Sequence, residues 1–149
     1  MILRWLLAAL HLVALAVGAG AILNRARAFS SPLDGPALKR LFAADTLWGV
    51  AALLWVSTGL WRLFGETEKT VNFYTGSRAF WLKMAFFVAI LALEVWPMLT
   101  LLRWRTQVRR GEPLDTSRAM LFARISHVQL VLVIAMVFAA TAMARGLGY

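Results

Sequence analysis

Four long apolar stretches, separated by short polar ones, make up most of this chain. They run over residues 2–23, 41–64, 79–102 and 125–145. A helix rises about 1.5 Å per residue, so about 20 residues cross the ~30 Å apolar layer of a bilayer. The pattern therefore predicts an all-α fold, a four-helix transmembrane bundle, formed as a single membrane domain over residues 1–149.

The third stretch carries two ionisable residues, Lys83 and Glu94. Their spacing is close to three helical turns, so both side chains point to the same side of a helix. A charge in hydrocarbon costs at least ~2.5–3.5 kcal/mol. We therefore expect this face to look into protein or water rather than into lipid.

The first stretch has two interpretations. Arg4 lies near its beginning, before the long apolar run, and the small residues at 19–21 resemble a cleavage site, which is typical of a signal peptide. A retained helix is favoured, because the apolar run is long, contains His11 and is followed by the basic segment 24–27 as a stop signal. His11 shares a face with Gly18, and small residues let membrane helices approach closely, so His11 is expected on a packing face.

The composition agrees with a membrane protein and excludes several classes. Hydrophobic side chains make up 61% of the chain, against the 45–50% that is common in soluble domains. The chain has no cysteine, which excludes disulfides, thiolate metal sites and iron–sulfur clusters. The net charge is +9, but the basic residues flank the apolar runs, so lipid contact explains them and no nucleic-acid partner is expected.

The distribution of basic residues predicts the orientation. The connections after the first and third stretches lie on one side of the membrane and hold ten Lys or Arg residues, against five on the other side. The positive-inside rule then predicts a multi-pass protein of a bacterial inner (cytoplasmic) membrane with both termini periplasmic. The ten are Arg25, Arg27, Lys39, Arg40, Arg103, Arg105, Arg109, Arg110, Arg118 and Arg124.

Polar residues inside the spans sort into two layers under this topology. His11 and Lys83 form an outer layer, while Asp45, Glu94 and His127 form an inner one. Roughly 10–15 Å along the helix axes should separate the two.

The outer layer has two interpretations. A neutral imidazole is a good ligand for haem iron, zinc or copper, so His11 is a candidate metal and cofactor ligand. Lys83 is a candidate partner for a porphyrin propionate, or a catalytic base if burial makes it neutral. The alternative is that His11 hydrogen-bonds a neighbouring carbonyl or hydroxyl group and holds helices together.

The inner layer also has two interpretations. Two carboxylates with a histidine would suit a proton relay or a cation site. Zinc is a less well supported occupant of such a site. The alternative is structural: Asp45 and Glu94 form ion pairs with a charged His127 or with arginines near the interface. Those arginines are Arg40, Arg103 and Arg124.

Several segments resemble an uncharacterised bacterial family of four-helix membrane proteins, which is defined only as a domain of unknown function. The resemblance covers the whole chain and implies the topology but no activity. Its segments are ALHL (9–12), FAADTLWG (42–49), STGLWR (57–62), FWLKM (80–84), LEVWPM (93–98) and VFAATAMARG (137–146), with Arg25 and Arg27 after the first helix.

A looser similarity joins the first three helices to HemJ-type protoporphyrinogen oxidases and to the CopD copper-resistance membrane domain. In the HemJ type, a helix-one histidine and a helix-three lysine are associated with haem binding and porphyrin oxidation. The similarity implies these places for His11 and Lys83. The chain departs from the pattern after helix three, where Glu94 and Trp96 stand and no histidine follows until His127.

Three functions follow as hypotheses, and the sequence leaves open whether the protein is an enzyme. The first is a haem b or porphyrin-binding redox protein using His11 and Lys83. The second is a non-enzymatic membrane scaffold or assembly partner. The third is a small proton-coupled carrier that uses Asp45, Glu94 and His127 and acts as an oligomer. The expected partners are the lipid bilayer and either a second copy of the chain or another membrane protein.

Overall fold

The computed structural model describes residues 2–65 and 69–147, and it confirms the all-α fold class. Four helices in these ranges are long and apolar enough to cross a membrane. A short fifth helix, α3, lies in the connection between the second and third of them. The helices are α1 (Ile2–Phe29), α2 (Gly35–Phe64), α3 (Val71–Thr75), α4 (Arg78–Arg110) and α5 (Ala119–Ala144).

The helices extend beyond the apolar stretches that predicted them. The first apolar stretch was placed at residues 2–23 and the second at 41–64, whereas α1 continues to Phe29 and α2 begins at Gly35. The side chain of Asp34 accepts a hydrogen bond from the backbone N–H of Ala37 at 2.8 Å and so caps α2. Residues 25, 26, 28 and 29 are buried, so packing against the neighbouring helices keeps this segment of α1 helical.

The third span also extends beyond the apolar stretch that predicted it. α4 continues through the buried Pro97 and ends at Gly111, whose φ of 67° is the left-handed conformation that favours glycine at a helix end. Residues 111–118, all of which the structure describes, form no separate helix before α5. The side chain of Asp115 instead accepts from the backbone N–H of Ser117, and α5 starts at Ala119.

The order of helices around the bundle is set by α1. It packs along α2 and against α5, and α5 packs against α4, whereas α2 and α4 approach each other at few positions. Gly18 of α1 allows this close approach, since a Cβ atom there would lie 3.0 Å from the ring of Trp48. Three buried clusters follow one another along the bundle, in its middle and at its two ends.

Two ends of the bundle are used as reference points below. The connections 30–34 and 111–118 lie at what we call the basic end, where α1 and α4 finish. The opposite end contains α3 and both the beginning of α4 and the end of α5. The two predicted polar layers lie near these two ends.

Candidate functional site

A cavity of about 530 Å³ lies towards the opposite end of the bundle. All four long helices and α3 contribute to its walls, which are mainly apolar. His11 and Lys83 both line it, so the structure brings together the two residues of the predicted outer layer. Its volume lies within the ~300–1,000 Å³ range that is common for small-molecule sites.

The position of His11 is fixed by a hydrogen bond to α2. His11 Nδ1 lies 2.9 Å from the hydroxyl oxygen of Thr58. That hydroxyl group also lies 2.7 Å from the carbonyl of Leu54 and 3.1 Å from the carbonyl of Trp55, which can only accept. With the single Thr58 proton directed to a carbonyl group, His11 Nδ1 is placed to donate to the Thr58 oxygen.

This arrangement favours the tautomer of His11 that carries its proton on Nδ1. A neutral imidazole with a proton on Nδ1 carries its lone pair on Nε2. The ring lies beside Gly59, where a Cβ atom would come within 3.2 Å of His11 Cε1, and its centroid is 5.9 Å from that of Trp55. The missing side chain at Gly59 thus makes room for the imidazole between α1 and α2.

Lys83 differs from His11 in its polar contacts. It makes no hydrogen bond or ion pair with any residue that the structure describes, although α4 crosses the membrane layer at this point. Arg62 and Lys69 line the same cavity, and no acidic residue is among its described lining. The cavity thus combines apolar walls with a cationic rim.

The predicted inner layer takes a form that the sequence did not indicate. Its centre is Arg25, which is 0% exposed. The two terminal nitrogens of Arg25 donate to the two carboxylate oxygens of Glu94 at 2.6 and 2.7 Å, and one of them lies 3.2 Å from Asp45. The fully buried Gln129 accepts from Arg25 at 2.8 Å and donates to Glu94 at 2.8 Å.

The second carboxylate oxygen of Asp45 pairs with Arg105 at 3.0 Å. Arg105 also donates to the carbonyl of Phe42 at 2.8 Å. Two arginines therefore balance two carboxylates, and every carboxylate oxygen receives a donor. We call this set of five residues the Arg25 network: Arg25, Asp45, Glu94, Arg105 and Gln129.

The Arg25 network corrects two expectations. Arg25 was placed in a connection, but it lies inside α1 and faces the core. Asp45 and Glu94 pair with Arg25 and Arg105, and not with Arg40, Arg103 or Arg124. Sequence signals for the buried members existed, since Arg25 continues the helical stripe of Gly18 and Gln129 interrupts an apolar span.

His127 is not brought to Asp45 and Glu94. It lies on the exposed outer side of α5, and its Nδ1 is 2.9 Å from the carbonyl of Ala123 in the same helix. Among residues 2–65 and 69–147, no group of three or more His, Asp or Glu side chains is placed to hold a metal ion.

These features define a class: a four-helix membrane bundle with a buried charge network near one end and a cation-rimmed apolar cavity near the other. The comparison with protein families then gives the particular family. The chain belongs to the family described as a predicted membrane protein (DUF2214), whose model matches residues 3–148. Comparison with curated proteins and with solved structures finds no match.

Proposed function

We propose that the protein binds an amphipathic ligand with an anionic group in the His11–Lys83 cavity, and that this ligand is haem b or a related porphyrin. One observation carries the proposal: His11, held by Thr58, and Lys83, which has no ion-pair partner among the described residues, line the same apolar cavity inside a membrane bundle. A cation inside a membrane span with no acidic partner in the described part of the chain points to a functional site, because it is costly to keep there for structure alone.

The imidazole of His11 would be the group that holds the haem iron. Metal-binding histidines use one nitrogen as ligand while the other donates a hydrogen bond, which fixes the ring orientation. Thr58 is placed to accept that second bond from Nδ1. Thr58 is therefore the positioning residue for His11.

The remaining polar groups fit a porphyrin with carboxylate substituents. Lys83 would pair with a propionate group, and Arg62 and Lys69 line the same cavity. The indole N–H of Trp55 is buried with no acceptor among the described residues, and the same ring lines the cavity. Apolar side chains from α4 and α5 would cover the ring faces.

These contacts suggest a separate role for each residue of the cavity. Bound haem b would supply one-electron redox chemistry. In this proposal His11 would bind the iron, Thr58 would orient His11, and Lys83 would hold a carboxylate. Lys83 in its neutral form is also a candidate base in the cavity, which is the catalytic role that the HemJ resemblance implies for it.

An absorption spectrum tests the proposal. The protein is expressed in haem-supplemented cells, purified in mild detergent and measured before and after dithionite. We expect a Soret band, reduced α and β bands, and close to one haem per chain by pyridine haemochrome. A colourless preparation, or haem that His11→Leu retains in full, would overturn the proposal.

The alternative of a membrane scaffold is favoured by a different observation. The His11–Thr58 hydrogen bond and the Arg25 network each join two or more helices without needing any ligand. In a scaffold, His11→Leu would be tolerated and the pure protein would stay colourless. Its partner would be another membrane protein or a second copy of the chain.

The geometry gives less support to a proton-coupled carrier. Such a carrier would need Asp45 and Glu94 to release their bonds with Arg25 during each cycle. His127 would have to act from the outer side of α5. If Glu94→Gln in proteoliposomes showed the same pH-dependent uptake as the wild type, this alternative would be rejected.

A further inference from the structure

A second pocket of about 360 Å³ lies at the basic end of the bundle, away from the His11–Lys83 cavity. It is formed between α4 and the 111–118 connection, which runs back along α4 to the start of α5. Its α4 residues recur at helical intervals and so form one stripe along the helix. They are Trp96, Thr100, Arg103, Trp104 and Gln107.

The floor of this pocket is aromatic. The rings of Trp96 and Phe122 meet edge to face at a centroid distance of 5.5 Å, and Trp104 meets Phe29 in the same way at 6.3 Å. Tryptophan is enriched where a membrane protein crosses the headgroup region of the bilayer. The floor therefore suits the junction between the headgroup and the acyl chains of a lipid.

Two guanidinium groups border this floor, those of Arg103 and Arg118. Arg118 lies over the ring of Trp96 at 5.1 Å, which holds it at the pocket. Neither arginine forms an ion pair with an acidic residue in the described part of the chain. They differ in this from Arg25 and Arg105, whose charges are balanced by the carboxylates of the Arg25 network.

Asp115 supplies the one carboxylate of the pocket. It accepts a hydrogen bond from the backbone N–H of Ser117 at 3.0 Å. The hydroxyl and backbone groups of Ser117 lower the pKa of Asp115, so this side chain is ionised at neutral pH. With two guanidinium groups and one carboxylate, the pocket keeps a single net positive charge, which matches one phosphodiester.

We propose that this pocket binds the phosphodiester headgroup of an anionic phospholipid, with Arg103 and Arg118 donating to the phosphate oxygens. Guanidinium groups recognise phosphate through paired hydrogen bonds, and basic pockets between membrane helices bind anionic headgroups. The aromatic floor favours a lipid over a soluble phosphate compound, because only a lipid covers it with glycerol and acyl carbon atoms.

The test uses the full-length protein in detergent after delipidation. Binding of phosphatidylglycerol, phosphatidylcholine and free glycerol phosphate is measured by native mass spectrometry and by the shift in Tm. R103Q/R118Q is compared with R109Q/R124Q, which removes the same charge from exposed arginines outside the pocket. We expect preference for phosphatidylglycerol, a loss of about fivefold in affinity per pocket arginine, and a change below about twofold in the control.

Three outcomes would overturn the proposal. Equal weakening in both double variants would mean diffuse attraction and no pocket. Equal affinity for phosphatidylcholine would remove the role of the anionic headgroup. Glycerol phosphate bound as tightly as the lipid would assign the site to a soluble phosphate compound.

A charge-conserving variant keeps the test valid if R103Q/R118Q does not fold. R103K/R118K retains both charges but lacks the planar fork that bonds phosphate twice. We expect it to bind phosphatidylglycerol several-fold more weakly than the wild type does. Wild-type affinity in R103K/R118K would overturn the assignment of the phosphate to these two guanidinium groups.

Discussion

Arg25 and Glu94 form a two-point ion pair across the bundle, with N–O distances of 2.6 and 2.7 Å between α1 and α4. Asp45 and Gln129 bond to the same guanidinium group. Arg25 is completely buried, so its charge depends on these partners. A buried ion pair is costly to break because the partner that remains is left uncompensated.

Arg25→Met should therefore destabilise the protein strongly. It leaves Glu94 as a buried carboxylate without its cation, and we expect a loss of about 3–5 kcal/mol in the free energy of unfolding. Unfolding in mixed micelles measures this value. Arg27→Met removes the same charge from an exposed position two residues away and should change the free energy little.

A second substitution distinguishes charge from packing at this site. Arg25→Met/Glu94→Gln removes both charges, and we expect it to be more stable than Arg25→Met alone, since the buried carboxylate has gone. A double variant as unstable as the single one would mean that Arg25 acts through its packing and not through Glu94.

The two glycines of α1 should respond differently to the same change. A Cβ atom at Gly18 would lie 3.0 Å from the Trp48 ring, whereas nothing lies within 4 Å of one at the exposed Gly20. We expect Gly18→Leu to cost about 1–3 kcal/mol by forcing α1 and α2 apart, and Gly20→Leu to be neutral. Equal thermal stability of the two variants would contradict this account of the α1–α2 interface.

Gly59 offers a test of the His11–Lys83 cavity that leaves both residues in place. A side chain at position 59 would press on His11 Cε1, which is 3.2 Å from the Cβ position. Under the haem proposal, Gly59→Val should reduce the haem content severalfold, while Gly49→Val, in open space on the same helix, should retain it. Haem per chain and helicity are measured together, and equal haem content in the two folded variants would count against His11 as the ligand.

Lys83 should act on the ligand rather than on the fold. Lys83 has no hydrogen-bond or ion-pair partner among the described residues, so Lys83→Met should keep or raise thermal stability. The same substitution should weaken the binding of a carboxylate-bearing porphyrin about tenfold, which is the effect of one charged hydrogen bond. Lys83→Arg, which retains the charge, is the matched control. Titration with haem in detergent measures both variants, and unchanged affinity in Lys83→Met would remove Lys83 from the site.

The orientation of the bundle in the membrane can be measured directly by labelling single introduced cysteines, because the chain has no cysteine of its own. We propose that the basic end faces the cytoplasm, as the excess of Lys and Arg there indicates. Asn72→Cys should then react with an impermeant maleimide in spheroplasts, whereas Ser30→Cys and Thr116→Cys should react only after the membrane is opened. The reverse labelling would place both termini in the cytoplasm.

The sequence by itself determined the class of protein and most of its helices. Long apolar runs have few alternatives to membrane helices, because each backbone polar group must be satisfied inside the segment. It also placed His11 and Lys83 near one another, since both lie a similar distance from the same end of the bundle. That prediction needed only the rise per residue and the alternating direction of the spans.

Only the tertiary structure decided how the charges are used. Arg25 looked like a flanking residue because hydropathy falls where it stands, and no local pattern shows that packing continues α1 to Phe29. Its partners Asp45, Glu94 and Gln129 come from three other helices, so their meeting depends on how those helices are rotated against one another. The same rotation turns His127 outward and leaves Lys83 facing a cavity, which the order of residues along the chain does not specify.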